Sequence, residues 1–220
     1  MSKHNALIDS LATDLQPSGR SWNINLLAST WLLFSAAYVV IVAHVLGPIR
    51  PEAITQLQNE PRFLLESLLG IAAITLTALS AFRAAVPGAL SRPLIAVTAG
   101  LIVLWILNYV AGIYSPTLAP SMAGKREHCS LETFFYATPP MIAAFLFARR
   151  LYPLQPAKTA LLAGLAAGML PALYMQIACM YEPVHILKFH ILPGLTVGFA
   201  ALAVTFGWLK LRTSGKHQAQ

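Results

Sequence analysis

The sequence predicts an all-α, polytopic membrane protein, a bundle of six transmembrane helices with both termini in the cytoplasm. Three observations predict it. Of 220 residues, 57% are apolar and only 10% are charged, against about 25% charge in a soluble domain. The apolar residues form six runs long enough to cross a hydrocarbon core, which is about 30 Å thick and takes roughly 20 helical residues. Basic residues collect on one side of those runs, as orientation across a bilayer requires. The same composition excludes a cytosolic enzyme, a disordered tail and a disulfide-packed secreted module.

The first element is a hydrophilic leader, residues 1–25. Within it Leu7, Ile8, Leu11 and Leu15 fall within an arc of about 100° on a 3.6-residue helix, while Asp9, Ser10, Thr13, Asp14 and Gln16 lie outside that stripe and Pro17 and Gly19 end it. Helices that lie on membranes carry a basic polar face, and this one carries two aspartates. Packing as a cap on the bundle is a second reading. Docking into a groove on a protein partner suits the apolar spacing best. The leader is too long and too mixed in charge for a signal peptide, so the first span is expected to be retained.

The spans follow at residues 26–46, 63–82, 94–114, 131–148, 159–178 and 191–209, making 26–210 a transmembrane sensor domain and 211–220 a cytoplasmic tail. The second carries Glu66, costly in lipid unless paired; Arg62, one turn earlier, is its expected partner. Asn108 and Gln176 are the other strongly polar residues in the spans, and both lie toward the outer ends. From the fourth span onward the helices carry Pro139 and Pro140, then Gly164, Gly168 and Pro171, then Pro193, Gly194 and Gly198. Small residues four apart predict close helix packing, and the prolines predict local kinks.

With the N-terminus inside, Lys3, Arg20, Arg83, Arg92, Arg149, Arg150, Lys158, Lys210, Arg212 and Lys216 are cytoplasmic, and Arg50, Arg62, Lys125, Arg126 and Lys188 lie outside, ten against five. These charges sit at span ends without a clustered basic face, so a nucleic-acid partner is not expected despite a net charge of +7.

The two cysteines both fall at outer span ends, Cys129 before the fourth and Cys179 after the fifth. His128, His185, His44 and His190 share that level, and Met180 and Glu182 adjoin Cys179. Two loops rich in donors therefore lie on one face and are able to meet. Outside the cell, a disulfide between the cysteines is one expectation. A soft or borderline metal ion, Cu, Zn or Cd, is the other, because thiolate, thioether and imidazole suit such ions. Its expected ligands are Cys129, Cys179, His128 and His185, with Met180 and His44 as further donors. Taken singly, His44 and His190 read more simply as hydrogen-bonded histidines at helix ends.

The leader from Ala6 to Pro17, six spans, the PRFLLE stretch from Pro61 to Glu66, the VPG turn from Val86 to Gly88 and one cysteine at each outer position together resemble the NrsF family of bacterial membrane anti-sigma factors. The likeness covers nearly the whole chain. One departure is Ser18-Gly19-Arg20-Ser21-Trp22-Asn23, where the family tends to be richer in Pro and Arg. The resemblance implies a multi-pass protein of the bacterial inner membrane that holds an extracytoplasmic-function sigma factor through its leader. It further implies release on metal or oxidant stress, with Cys129 and Cys179 as the sensing residues and Leu7, Ile8, Leu11 and Leu15 as the sigma-binding face. No resident cofactor is required, and besides the sigma factor its only expected contact is membrane lipid.

Other functions fit less well. A small metal-ion transporter or channel using the same outer ligands needs a polar path across the core, which the middle of the spans lacks. A quinone-coupled thiol oxidoreductase needs CxxC spacing, and a hydrolase needs a nucleophile elbow, an HExxH or a convergent Ser, His and Asp set; none is present.

Overall fold

A computed structural model of the chain describes residues 3–13 and 23–217, with side chains for 4–13 and 23–211. Leu15 of the leader stripe lies outside the described residues. Of the described residues about 79% are helical, and none of them is in a strand. In order these are α1 (Lys3–Thr13), α2 (Ile24–Leu46), α3 (Ala53–Asn59), α4 (Pro61–Ala84), α5 (Arg92–Gly112), α6 (Cys129–Arg149), α7 (Pro156–Ala178), α8 (Pro183–Ile186), a π-helical turn (Leu187–Ile191) and α9 (Leu192–His217). Six helices are long and apolar enough to cross a membrane, the last running unbroken from Pro183 through Leu211.

Local chemistry explains why the helices start earlier than the apolar runs. Asn23 Oδ1 accepts from Leu26 N at 3.1 Å and Ser91 Oγ from Leu94 N at 3.4 Å, each satisfying a first-turn donor. Pro61, Pro93, Pro156 and Pro183 occupy first turns, where a missing N–H costs nothing. The sixth span begins eight residues before the expected 191 because Glu182 caps α8 and the π-turn carries the helix through Lys188 and two histidines that depress local hydropathy. At the other end α9 continues to His217, through most of the segment expected as a tail. The short α3, only 7 residues long, escapes a hydropathy window altogether.

Successive spans alternate in direction, so the outer loops meet at one end of the bundle and the termini of the spans α2 and α9 at the other. α7 is the central helix: 72% of its span is buried, against 17% for α5. It packs on α9 through glycines. A Cβ on Gly164 would meet Gly198 Cα at 2.8 Å, and one on Gly168 would run into the Gly194 carbonyl. The small-residue reading of the sequence is thus realised as backbone contact. In α6, Pro139 and Pro140 have no N–H to give to the preceding turn, and Trp31 Nε1–H of α2 donates to the Pro140 carbonyl at 3.0 Å.

Two core clusters divide the length of the bundle. Toward the outer-loop end it holds large side chains, Phe63, Trp105, Tyr109, Tyr136, Met175 and Tyr181 among them. Toward the other end alanines dominate, with Trp31 and Phe82 filling the gap between α2 and α4.

Candidate thiol and imidazole site

Cys129 is the first residue of α6, and Cys179 follows the last residue of α7 in extended conformation. Their Sγ atoms lie 3.6 Å apart, both residues are buried and both thiols are free. Cys129 Sγ donates to the Arg126 carbonyl at 3.3 Å. Cys179 Sγ sits 3.7 Å from His185 Nε2. The Cys179 thiol is held below the usual cysteine range, by its contact with Cys129 Sγ first, with His185 and His190 adding to it against the opposing effect of burial.

His190 is the residue that sequence periodicity misplaces. On an α-helix, His185 and His190 would stand about 140° apart. The π-turn inserts an extra residue, Leu192 N–H donating to the Leu187 carbonyl five back, and brings the two rings together at 5.1 Å between centroids. Pro193 favours this break, since it has no N–H for the Phe189 carbonyl. His190 is fully buried, with Nδ1 3.5 Å from Thr133 Oγ1 and Nε2 without a protein partner.

Cys129, Cys179, His185 and His190 thus bring one donor atom each to within 4.8 Å of one another. The other sequence candidates stand elsewhere. His128 is exposed and, with Met180, lines an open cavity of about 400 Å³ over the cluster. His44 Nδ1 lies 2.8 Å from the Val40 carbonyl and 3.0 Å from the Tyr174 hydroxyl, the helix-end histidine its position suggests.

The donor set fits a four-coordinate soft ion. With metal–sulfur bonds of about 2.3 Å and metal–nitrogen bonds of about 2.0–2.1 Å, the edges of a tetrahedron measure about 3.8 Å between sulfurs, about 3.6 Å from sulfur to nitrogen and about 3.3–3.4 Å between nitrogens. The Sγ–Sγ and Sγ–Nε2 separations of 3.6 and 3.7 Å match those edges. A two-electron oxidant would instead join two thiols already in contact.

Two buried arginines frame the site, and neither is legible as such in the sequence. Arg126 donates to Glu132 Oε2 at 2.9 Å, to the Ala43 carbonyl at 2.7 Å and to the Pro48 carbonyl at 3.1 Å, strapping the end of α2 to the start of α6. Arg50 stacks over Phe63 and Tyr181 at 5.2 and 5.7 Å, while its N–H donates to the Ala178 carbonyl at 2.7 Å. Gly124, at φ +78°, permits the close approach to Arg50, whose Cα a side chain there would meet at 2.7 Å.

The expected Arg62 to Glu66 pair does not form. Arg62 donates to the Ser115 carbonyl at 3.3 Å. Glu66 is turned inward, 3% exposed, and its Oε2 accepts from Thr117 at 3.0 Å and Tyr181 at 3.1 Å. Hydroxyls brought by two loops hold one carboxylate oxygen from inside, which a search along one helix face cannot anticipate.

Fold and site together define a class: a multi-pass helical membrane protein with a buried thiol and imidazole cluster at one end of its bundle. The family described as NrsF, negative regulator of sigma F, matches residues 11–212, and the chain belongs to that family. It is a negative regulator of a sigma factor, and a sigma factor is its partner. Neither curated proteins nor solved structures provide a match.

Proposed function

We propose that the protein is a bacterial inner-membrane anti-sigma factor with both termini cytoplasmic. It holds an extracytoplasmic-function sigma factor on its leader helix and releases it when a soft metal ion or an oxidant acts on Cys129 and Cys179. The observation that carries the sensing half is the convergence of Cys129, Cys179, His185 and His190 within 4.8 Å, a donor set with no other evident task. The holding half is supported by α1, where Leu7, Ile8 and Leu11 are each about 60% exposed. A cap packed on the bundle would bury that stripe; a helix waiting for a groove presents it.

The energetics are adequate. Moving a two-state equilibrium from mostly held to mostly free takes about 5 kcal/mol of differential binding, within the reach of a multidentate soft-metal site. The transporter alternative finds less support, because the buried hydroxyls of α4 and α5 on the Arg83 side of the bundle, Thr77, Ser80 and Thr98, are taken up by helix carbonyls and by the Ser80–Thr98 contact.

The test uses a sigma-dependent reporter in cells. Replacing both Cys129 and Cys179 by Ser is expected to abolish induction by Cd(II), Cu or diamide while leaving repression intact. Full induction in the double variant would remove the cysteines from sensing. Leu11→Asp is expected to abolish co-purification of the sigma factor with the full-length protein; undiminished capture would remove α1 from the contact.

A further inference from the structure

A signal at the thiols needs an element with two discrete arrangements if it is to reach the far end of the bundle. The segment 179–182 offers the lever. It is extended, with the neighbouring Ala178 carbonyl held by Arg50 N–H at 2.7 Å, the Tyr181 carbonyl held by Ser121 N–H at 3.1 Å and the Tyr181 ring edge-on to Phe63 at 5.6 Å. From this segment the Tyr181 hydroxyl, two residues beyond Cys179, donates to Glu66 of α4 at 3.1 Å.

Glu66 has a second set of partners at hand. Its Oε2 is engaged by Tyr181 and Thr117, but Oε1 has no protein partner. Arg50 Nε and Nη2 and the Tyr109 hydroxyl, all within electrostatic reach of the carboxylate, have none either. A buried carboxylate cannot give up its donors without replacement. Here replacements stand beside it, so a withdrawal of Tyr181 can be answered by a turn toward Arg50 and Tyr109. At its other end α4 reaches the start of α2, where Arg83 donates to Asn25 at 3.2 Å, two residues from the cap Asn23 to which the leader connects.

We propose that Glu66 is a positioning residue for the thiol site: through Tyr181 it fixes the segment carrying Cys179, and it passes a shift of that segment into α4. This rests on the sensing role argued above. Drawing Cys179 and His185 together around an ion, or bonding Cys179 to Cys129, pulls on Tyr181 and changes which groups hold Glu66.

The test uses full-length protein in nanodiscs, Cd(II) as the probe and the sigma factor as the readout, in wild type, Tyr181→Phe and Glu66→Gln. Cadmium is expected to weaken sigma binding by about three orders of magnitude or more in wild type and by less than about tenfold in either variant, while the cadmium–thiolate absorbance persists in all three. Wild-type coupling in the variants would overturn the proposal. A second readout needs neither metal nor sigma factor. With Cys129→Ser as background, Tyr181→Phe is expected to speed alkylation of Cys179 at least about threefold, since the segment opens locally once untethered; an unchanged rate would overturn the tether. If wild type binds no cadmium, or binds it without effect on the sigma factor, the sensing role fails while the alkylation arm still decides the tether. Should Glu66→Gln misfold, the near-isosteric Tyr181→Phe decides alone.

Discussion

The two ends of the bundle are held by different physics. At the thiol end the chain relies on large side chains and directional polar bonds: Arg126 strapping three segments, Arg50 stacked on two rings, Glu66 gripped by two hydroxyls. At the opposite end it relies on closeness, with alanines filling the core and α7 meeting α9 glycine to glycine. Directional bonds fix donor atoms to within tenths of an ångström, which a ligand cluster needs. Smooth small-residue faces let two helices meet backbone to backbone, which leaves little room for side chains to set direction. The leader helix α1 precedes that end in the chain, and Leu7, Ile8 and Leu11 of its apolar stripe are exposed.

The contrast can be broken at its strongest point first. Arg126→Ala leaves Glu132 and two carbonyls without their donor; removing one partner of a buried pair costs about 3–5 kcal/mol. The expected result is a lowered unfolding midpoint in detergent, with Cys129 and Cys179 becoming alkylation-sensitive before the helices melt. Gly168→Val is next: the added side chain meets the Gly194 carbonyl, and overpacking of this kind costs about 2–3 kcal/mol. Here circular dichroism should report the loss with thiol reactivity little changed until α7 and α9 part. Trp31→Phe keeps a ring near Phe82 but loses the bond to the Pro140 carbonyl and part of the buried indole volume, about 1–2 kcal/mol by the same measurement. Leu11→Asp, in the leader, should move the midpoint by less than about 0.5 kcal/mol even as it abolishes sigma capture. A large destabilisation by that last change would mean that α1 belongs to the bundle after all.

The spans were legible because lipid imposes one rule on a crossing helix, and runs such as 26–46 are apolar apart from Ser29, Thr30, Ser35 and His44. So was the meeting of the two cysteines, since both sit at the same end of adjacent helices. What escaped were features in which tertiary contacts override a local pattern. His190 reads as a helix-end histidine until a π-turn re-aims it. Glu66 reads as the partner of Arg62 until Thr117 and Tyr181 arrive from loops remote in sequence. Lys125 and Arg126 weaken the charge asymmetry as a pair, yet Arg126 is a buried strap with no bearing on orientation. The spacing of five between His185 and His190, followed by Pro193, was the one available hint, and it is visible only if a π-turn is entertained.

That π-turn also restricts how the gene can drift. Each residue added to or removed from 187–191 would rotate everything downstream by about 100° relative to the imidazoles, swinging Gly194 and Gly198 off α7 while His185 stayed in place. Relatives that keep both the donor cluster and the tight helix pair should therefore preserve the count of residues from His185 to Gly194, whatever side chains fill the positions between.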